Sequence, residues 1–258
     1  MVYKKGPRFR CRSVKEIYSD IDEAFDLYGP NVQSLFFPAG NTIAMPTIDL
    51  STISRYSNKT LPDLQRITGD GSAHYIVQKG LLDMKLLQQA GLSRIHVGLE
   101  SGDDTILKRV KKGTHATEQI QAGQIVKQAG IQLSEYVILG LGGSDRSTKH
   151  ALKTAEVVNE IEPDFLRLRT LVPKINTLLL HQINKDRFQL LSPHEVLLET
   201  RLLIKNLSIS TILTSDHYTN YLDLSGKLPE DKDRLLEEVN QALTWDPSRF
   251  RPNFIGTQ

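Results

Sequence analysis

The sequence predicts an α/β fold of parallel βαβ units, best accommodated as a (β/α) barrel or partial barrel. Residues 94–113, RIHVGLESGDDTILKRVKKG, change periodicity partway. Ile95, Val97 and Leu99 alternate as in a half-buried strand that stops at Glu100-Ser101-Gly102. Asp103 and Asp104 then open a segment in which Ile106, Leu107 and Val110 fall at helical spacing, and Lys108, Arg109, Lys111 and Lys112 close it before Gly113. Acids near the first turn and bases near the last suit the helix macrodipole. The same strand–helix unit recurs along the chain, and 258 residues match the ~250 usual for such barrels.

In order, Gln33–Phe37 is the first expected strand, ending in Pro38-Ala39-Gly40-Asn41-Thr42. A helical segment follows, then a weaker strand candidate at His74–Val77. Residues 81–90 are expected to form a helix stopped by Gly91, which leads into the strand of residues 95–99. Residues 116–129 form another helix stopped by Gly130, before a strand at Tyr136–Leu139 that runs into Gly140-Leu141-Gly142-Gly143. Residues 147–161 are expected to be helical, and Pro163 precedes a strand at Phe165–Arg169. Strands alternating with helices of ~10–15 residues imply parallel pairing. The last third is less regular. Segments 193–207 and 229–243 are amphipathic helices, the first with Ser192 as N-cap and Pro193 at its first position. The tail from Trp245 is expected to pack as irregular coil within one domain, 1–258, whose barrel core covers about 1–172 and whose helical extension covers about 173–258.

Composition narrows the function classes. Lys+Arg 32 against Asp+Glu 30 leaves a net charge of +2, so a nucleic-acid partner is not indicated. The basic start, Lys4, Lys5, Arg8, Arg10 and Arg12, is expected to be a solvated edge, with phosphate contact as the alternative. No apolar run approaches the ~18 residues of a membrane span, and no signal-peptide pattern opens the chain. Cys11 is the single cysteine, which excludes an internal disulfide and makes a cytoplasmic location the default. The seven histidines fall on separate elements without metal-ligand spacing, so no metal site is expected from them.

Together the motifs YKKGPRFRCRSVKEIYSDID, LFFPAGNTIAMP, AGLSRIHVGLESGDDTILKRVKKG, AGIQLSEYVILGLGG, PDFLRLRTL and SDHYTNYLDLSGKLPEDKDRLLEEV span nearly the whole chain. Their order resembles the radical S-adenosylmethionine (radical SAM) superfamily, in the branch containing Elp3, MiaB and coproporphyrinogen dehydrogenase-like proteins. The resemblance implies a partial TIM-like barrel that binds S-adenosylmethionine and an unknown small-molecule substrate. It also implies a [4Fe–4S] cluster held by three cysteines in a CxxxCxxC loop after the first strand. Those thiolates are missing here. A segment like Met1–Gly6 directly follows the loop in relatives, so the first strand is expected to be missing, leaving an open barrel edge suited to self-association. Either the chain starts at an internal methionine of a cluster-bearing enzyme, or it is a shortened, non-catalytic relative acting as a binding module. Cys11 itself is expected to be small and partly buried.

The same resemblance nominates cofactor-binding residues. Gly40, Asn41 and Thr42 match the glycine-rich turn that meets the amino group of S-adenosylmethionine, although many relatives carry an acid where this chain has Ala39; a plain strand-to-loop turn is the alternative. Glu100 and Ser101 match the position that contacts the ribose or methionyl portion, against a role at the helix start with Ser101 or Asp103 as cap. Ile138 is placed beside the adenine. Gly140, Gly142 and Gly143 either present backbone amides to the ligand or make a tight turn before Ser144 caps the next helix. Arg167 and Arg169 alternate with Leu166 and Leu168 and so share a face, where they suit a ligand carboxylate or phosphate, or else an ion pair with a barrel acid such as Glu100. Asp216, His217 and Asn220 are expected to pack or cap near the barrel mouth.

Overall fold

The computed structural model describes residues 10–38 and 40–256. Lys4, Lys5, Arg8 and Ala39 therefore lie outside the described residues. Among the described residues two compact units are distinguished, one comprising 10–38, 40–98 and 121–134, the other 99–120 and 135–256.

The first unit begins with α1 (Val14–Tyr28), set by a capping box. Ser13 Oγ accepts from the Glu16 amide at 3.3 Å while the Glu16 carboxylate accepts from the Ser13 amide at 2.7 Å. Such a cap contributes about 1 kcal/mol. Arg10 and Arg12 pair with Glu16 and Asp20 in the open, as expected of a solvated edge. The helix buries a stripe of Ile17, Ile21 and Phe25 against Ile53 and Leu61; Ile21, only 2% exposed, is worth about 1.5–3 kcal/mol there. β1 (Ser34–Phe37), α2 (Thr47–Thr60), β2 (Arg66–Gly71) and α3 (Ala73–Gln89) follow, leading into β3 (Leu92–Glu100). β1 pairs parallel with β2, placing Ser34 opposite Arg66, and β2 pairs parallel with β3, placing Gly69 opposite Ile95.

One expected strand is overturned here. His74–Val77 is the first turn of α3, and the strand lies just before it, in Arg66-Ile67-Thr68-Gly69-Asp70-Gly71. The reason is close approach: a Cβ on Gly69 would sit 3.1 Å from the Thr42 side chain, and one on Gly71 3.1 Å from Ile43 and Ile95. The strand gives up side chains to admit the turn after β1, and so carries little apolar signal. Cys11 corrects a second expectation, because it is exposed.

The second unit contains α4 (Asp104–Arg109), most of β4 (Gln132–Leu139), which follows α5 (Ala116–Gln128), then α6 (Ser147–Ile161) and β5 (Phe165–Thr170). α7 (Leu178–Ile183), α8 (Pro193–Asn206), β6 (Thr211–Thr214), β7 (Ser225–Leu228) and α9 (Lys232–Ala242) complete it. β5 pairs parallel with β6, and β7 returns antiparallel. Across the described residues the strands neighbour one another in sequence order, β1 to β7. α8 starts at Ser192 with a capping box to Glu195 and Pro193 in its first turn, as the sequence predicts. Ser144 does not cap α6: the N-cap position is Arg146, and the Ser144 hydroxyl donates instead to Gln189 Oε1 at 3.2 Å.

Candidate functional site

In the first unit, the turn after β1 holds Gly40, with φ of 92°, followed by Asn41 and Thr42. Thr42 is committed to structure, its hydroxyl donating to Phe37 O at 2.9 Å and accepting from the Asp70 amide at 3.2 Å. Asn41 Nδ2 donates to Ser72 Oγ at 3.2 Å, whereas its Oδ1 is buried and lacks a partner. An orphaned amide oxygen suits a donor such as an ammonium group. Burial lifts the Asp70 carboxyl above its usual range, opposed by the Gly40 amide.

In the second unit, Glu100 stands at the end of β3 with φ of 64°, a left-handed conformation that costs a non-glycine residue about 1–2 kcal/mol. Surrounding bonds hold it there. The Ser101 amide donates to Leu99 O at 2.8 Å, the Gly102 amide to Thr154 Oγ1 at 3.0 Å, and Gln119 Nε2 to Ser101 O at 3.2 Å. Gly102 is required, since a Cβ would lie 2.3 Å from Lys153 O. Lys112 Nζ reaches the Glu100 carboxylate at 3.2 Å, leaving both side chains about a quarter exposed. Ser101 is fully buried and its hydroxyl accepts from the Asp103 amide, so it braces the turn. Asp103 caps α4 through the Thr105 and Ile106 amides and pairs with Arg146 at 2.6 Å. Burial opposes its ionisation, but Arg146 and those amides prevail and hold the carboxyl below its usual range.

β4 carries Glu135, Tyr136 and Ile138. Glu135 is 1% exposed and its Oε2 has no partner. Burial, with Lys112 opposing and Glu100 reinforcing, pushes its carboxyl up to about 8. Tyr136 stands between the two β5 arginines, with Arg167 Nη1 donating to its hydroxyl at 3.3 Å and the Arg169 guanidinium 5.2 Å from its ring centre. The arginines share a face, as expected, but no ion pair of either with Glu100 forms among the described residues.

The glycine turn after β4 is fastened from α8. Gly140 has φ of 78°, and its amide donates to Glu199 Oε1 at 2.7 Å. The buried Glu199 carboxylate also accepts from Ser147 Oγ at 2.6 Å and lies 2.9 Å from His150 Nδ1. His150 Nε2 in turn lies 3.4 Å from the Glu100 carbonyl oxygen, so one acid braces both strand ends. Gly142 is packed against Ile106 and Arg146, and its carbonyl accepts from Arg109 at 3.3 Å. Asn220 ties its loop to β5, donating to Leu168 O at 2.9 Å and accepting from Thr170 Oγ1 at 3.0 Å.

Lys112, Glu135, His150 and Glu199 were not among the sequence-nominated residues. Glu199 had a signal, falling on the apolar face of α8 three residues after Val196 and four before Leu203. Glu135 had one too, an acid inside the run Leu133–Leu139.

The family model for the radical SAM superfamily matches residues 5–155. The chain belongs to that superfamily. Among solved structures, an archaeal Elp3 from Methanocaldococcus infernus with an N-terminal deletion is similar at a TM-score of 0.59 and 15% identity, over 89% of this chain and 58% of that one. Coproporphyrinogen III oxidase, HemN, from Escherichia coli gives 0.55 and 16%, over 77% and 48%. HydG, a maturase of the [FeFe]-hydrogenase, gives 0.53 and 15%, over 80% and 46%. The likeness establishes the fold as α/β of the partial-barrel, radical SAM type, and the chain spans about half the length of these structures. No curated protein matches it by sequence.

The superfamily implies S-adenosylmethionine and a [4Fe–4S] cluster. The donor set does not fit the cluster, which needs three thiolates where this chain has one exposed cysteine. Among the described residues no group of three or more His, Cys, Asp or Glu is placed to hold a metal, and no helix is long and apolar enough to cross a membrane.

Proposed function

We propose that this chain binds S-adenosylmethionine at the carboxyl ends of its strands and serves radical chemistry on a second small molecule. Glu100 carries the reading, as a left-handed residue at a strand end whose carboxylate pairs with Lys112 and whose backbone carbonyl lies against His150 Nε2. A carboxylate so fixed accepts from both ribose hydroxyls. Ile138 gives the adenine an apolar surface, and Gly140 and Gly142 keep the neighbouring backbone close. Thr42 and Ser101 act as supports, because their hydroxyls are already engaged. Arg167 and Arg169 hold an anionic group of a ligand. The lone cysteine suits a cytoplasmic location.

Reductive cleavage requires cluster thiolates beyond Cys11. The single cysteine also favours a second reading, a relative that binds without cleaving. Calorimetry of the purified chain with S-adenosylhomocysteine tests the shared premise. Glu100→Ala and Glu100→Gln should each weaken binding about tenfold, the ~1.4 kcal/mol of a charge-assisted hydrogen bond. Unchanged affinity would remove Glu100 from the site. Cysteine codons in frame upstream of Met1 would decide for the first reading, and their absence, with a stable product that binds the cofactor, for the second.

A further inference from the structure

We infer that the outward stripe of α8 holds a free amphiphile, an aliphatic chain ending in an anionic group. The inward stripe of that helix, with Val196, Leu197, Thr200, Leu203 and Ile204, is spent on the core. Leu198, Arg201, Leu202 and Lys205 recur three or four residues apart, so they share a second stripe, which is exposed or half-buried. They line a cavity of about 580 Å³ whose other sides are Leu236 and Asn240 of α9 and the first turn of α6, within the range of small-molecule sites. All of these residues lie in the second unit. No residue proposed for the cofactor lines this cavity.

The wall is apolar and the rim is positive. Leu198 is 45% exposed, an apolar side chain left in water beside the half-buried Leu202 and Leu236. An aliphatic chain laid against that wall would take it out of water. Arg201 and Lys205 are like charges one turn apart, which repel, and no acid stands three or four residues from either to relieve them. Neither is ion-paired among the described residues. Arg201 Nη1 donates to Asn240 Oδ1 at 3.1 Å, which fixes the guanidinium at the cavity edge. The nearby acids of α9 are turned to their own helix, Glu237 accepting from Gln241 Nε2 at 3.2 Å and Glu238 pairing with Arg234. On the floor, the Glu199 carboxylate already faces the Gly140 amide, the Ser147 hydroxyl and His150. An anion between Arg201 and Lys205 supplies the missing charge, and a guanidinium receives it through two parallel hydrogen bonds.

The test is calorimetry on the full chain with octanoate and octyl phosphate, which distinguish a carboxylate head from a phosphate, against octanol, which lacks the charge, and acetate, which lacks the chain. One or both anionic amphiphiles should bind, with octanol and acetate each at least about tenfold weaker. Lys205→Glu should weaken the amphiphile about tenfold and Leu198→Ser about three- to fivefold, with melting midpoints close to the parent's because both side chains are exposed. The assignment is overturned if neither amphiphile binds at millimolar concentration, if octanol binds as tightly as they do, if both variants bind as the parent does, or if saturating S-adenosylhomocysteine displaces the amphiphile. Cosedimentation with phosphatidylglycerol vesicles, without binding of either free amphiphile, would give the stripe to a membrane surface and overturn it too. Failure of the cofactor alone to bind would sink the reading above and leave this one standing.

Discussion

Glutamine in place of Glu135 should remove a pH dependence from the stability of the second unit. The carboxyl is enclosed, and burial, opposed by Lys112 and reinforced by Glu100, lifts it from an ordinary 4.5 to about 8. The folded chain therefore holds this proton across a window in which the unfolded chain has released it. The contribution of this carboxyl to stability is full below about pH 4.5, declines as pH rises, and is lost above about 8. At ~1.4 kcal/mol per pH unit, the gap between 4.5 and about 8 corresponds to roughly 5 kcal/mol, an upper figure because water entry relieves part of it. Glutamine keeps the shape and stays neutral. Urea unfolding followed by the single tryptophan, Trp245, at about pH 5 and about pH 8.5 should show the parent losing several kcal/mol more than Glu135→Gln. The infrared band of a protonated carboxyl near neutral pH should disappear in the variant. Equal losses in the two proteins, with no such band, would refute the reasoning.

Glu199→Ala should cost about 3–5 kcal/mol, because it strands the buried Gly140 amide and His150; a loss under about 1 kcal/mol in urea would show that the bonds matter little. Gly102→Ala pushes a Cβ to 2.3 Å from Lys153 O and should lower stability by at least about 1–3 kcal/mol. Gly130→Ala, with open space to 4.0 Å, should cost only the ~1 kcal/mol of its positive φ, and equal midpoints for the two would contradict the contrast. Anaerobic iron–sulfur reconstitution should leave the chain colourless, since Cys11 alone cannot anchor a cluster. Stoichiometric iron with visible thiolate-to-iron absorbance would contradict that.

Much of the scaffold was legible because local signals agreed with tertiary demand. α6 occupies the expected 147–161, and Ser192-Pro193 marks the start of α8. β2 was not legible, because its usefulness lies in what it lacks: Ile67 is its one large apolar residue, and Gly69 and Gly71 make room for Thr42 and Ile43. β6 and β7 are too short, at four residues each, to build a period. At the candidate site, the turn chemistry of Glu100 and Gly140 stood out locally. Their braces did not, since Glu199 is 59 residues from Gly140 and His150 is 50 from Glu100. Periodicity reports which face a residue occupies, and nothing in it reports which distant residue faces back.

The dependence of Gly140 on Glu199 also fixes an order of events at the ribosome. β4 and its glycines are synthesised well before α8, so the growing polypeptide must wait for the later helix before the Gly140 amide meets its acceptor. A nascent fragment ending ahead of Glu199 would carry every strand from β1 to β5 with that amide still facing water.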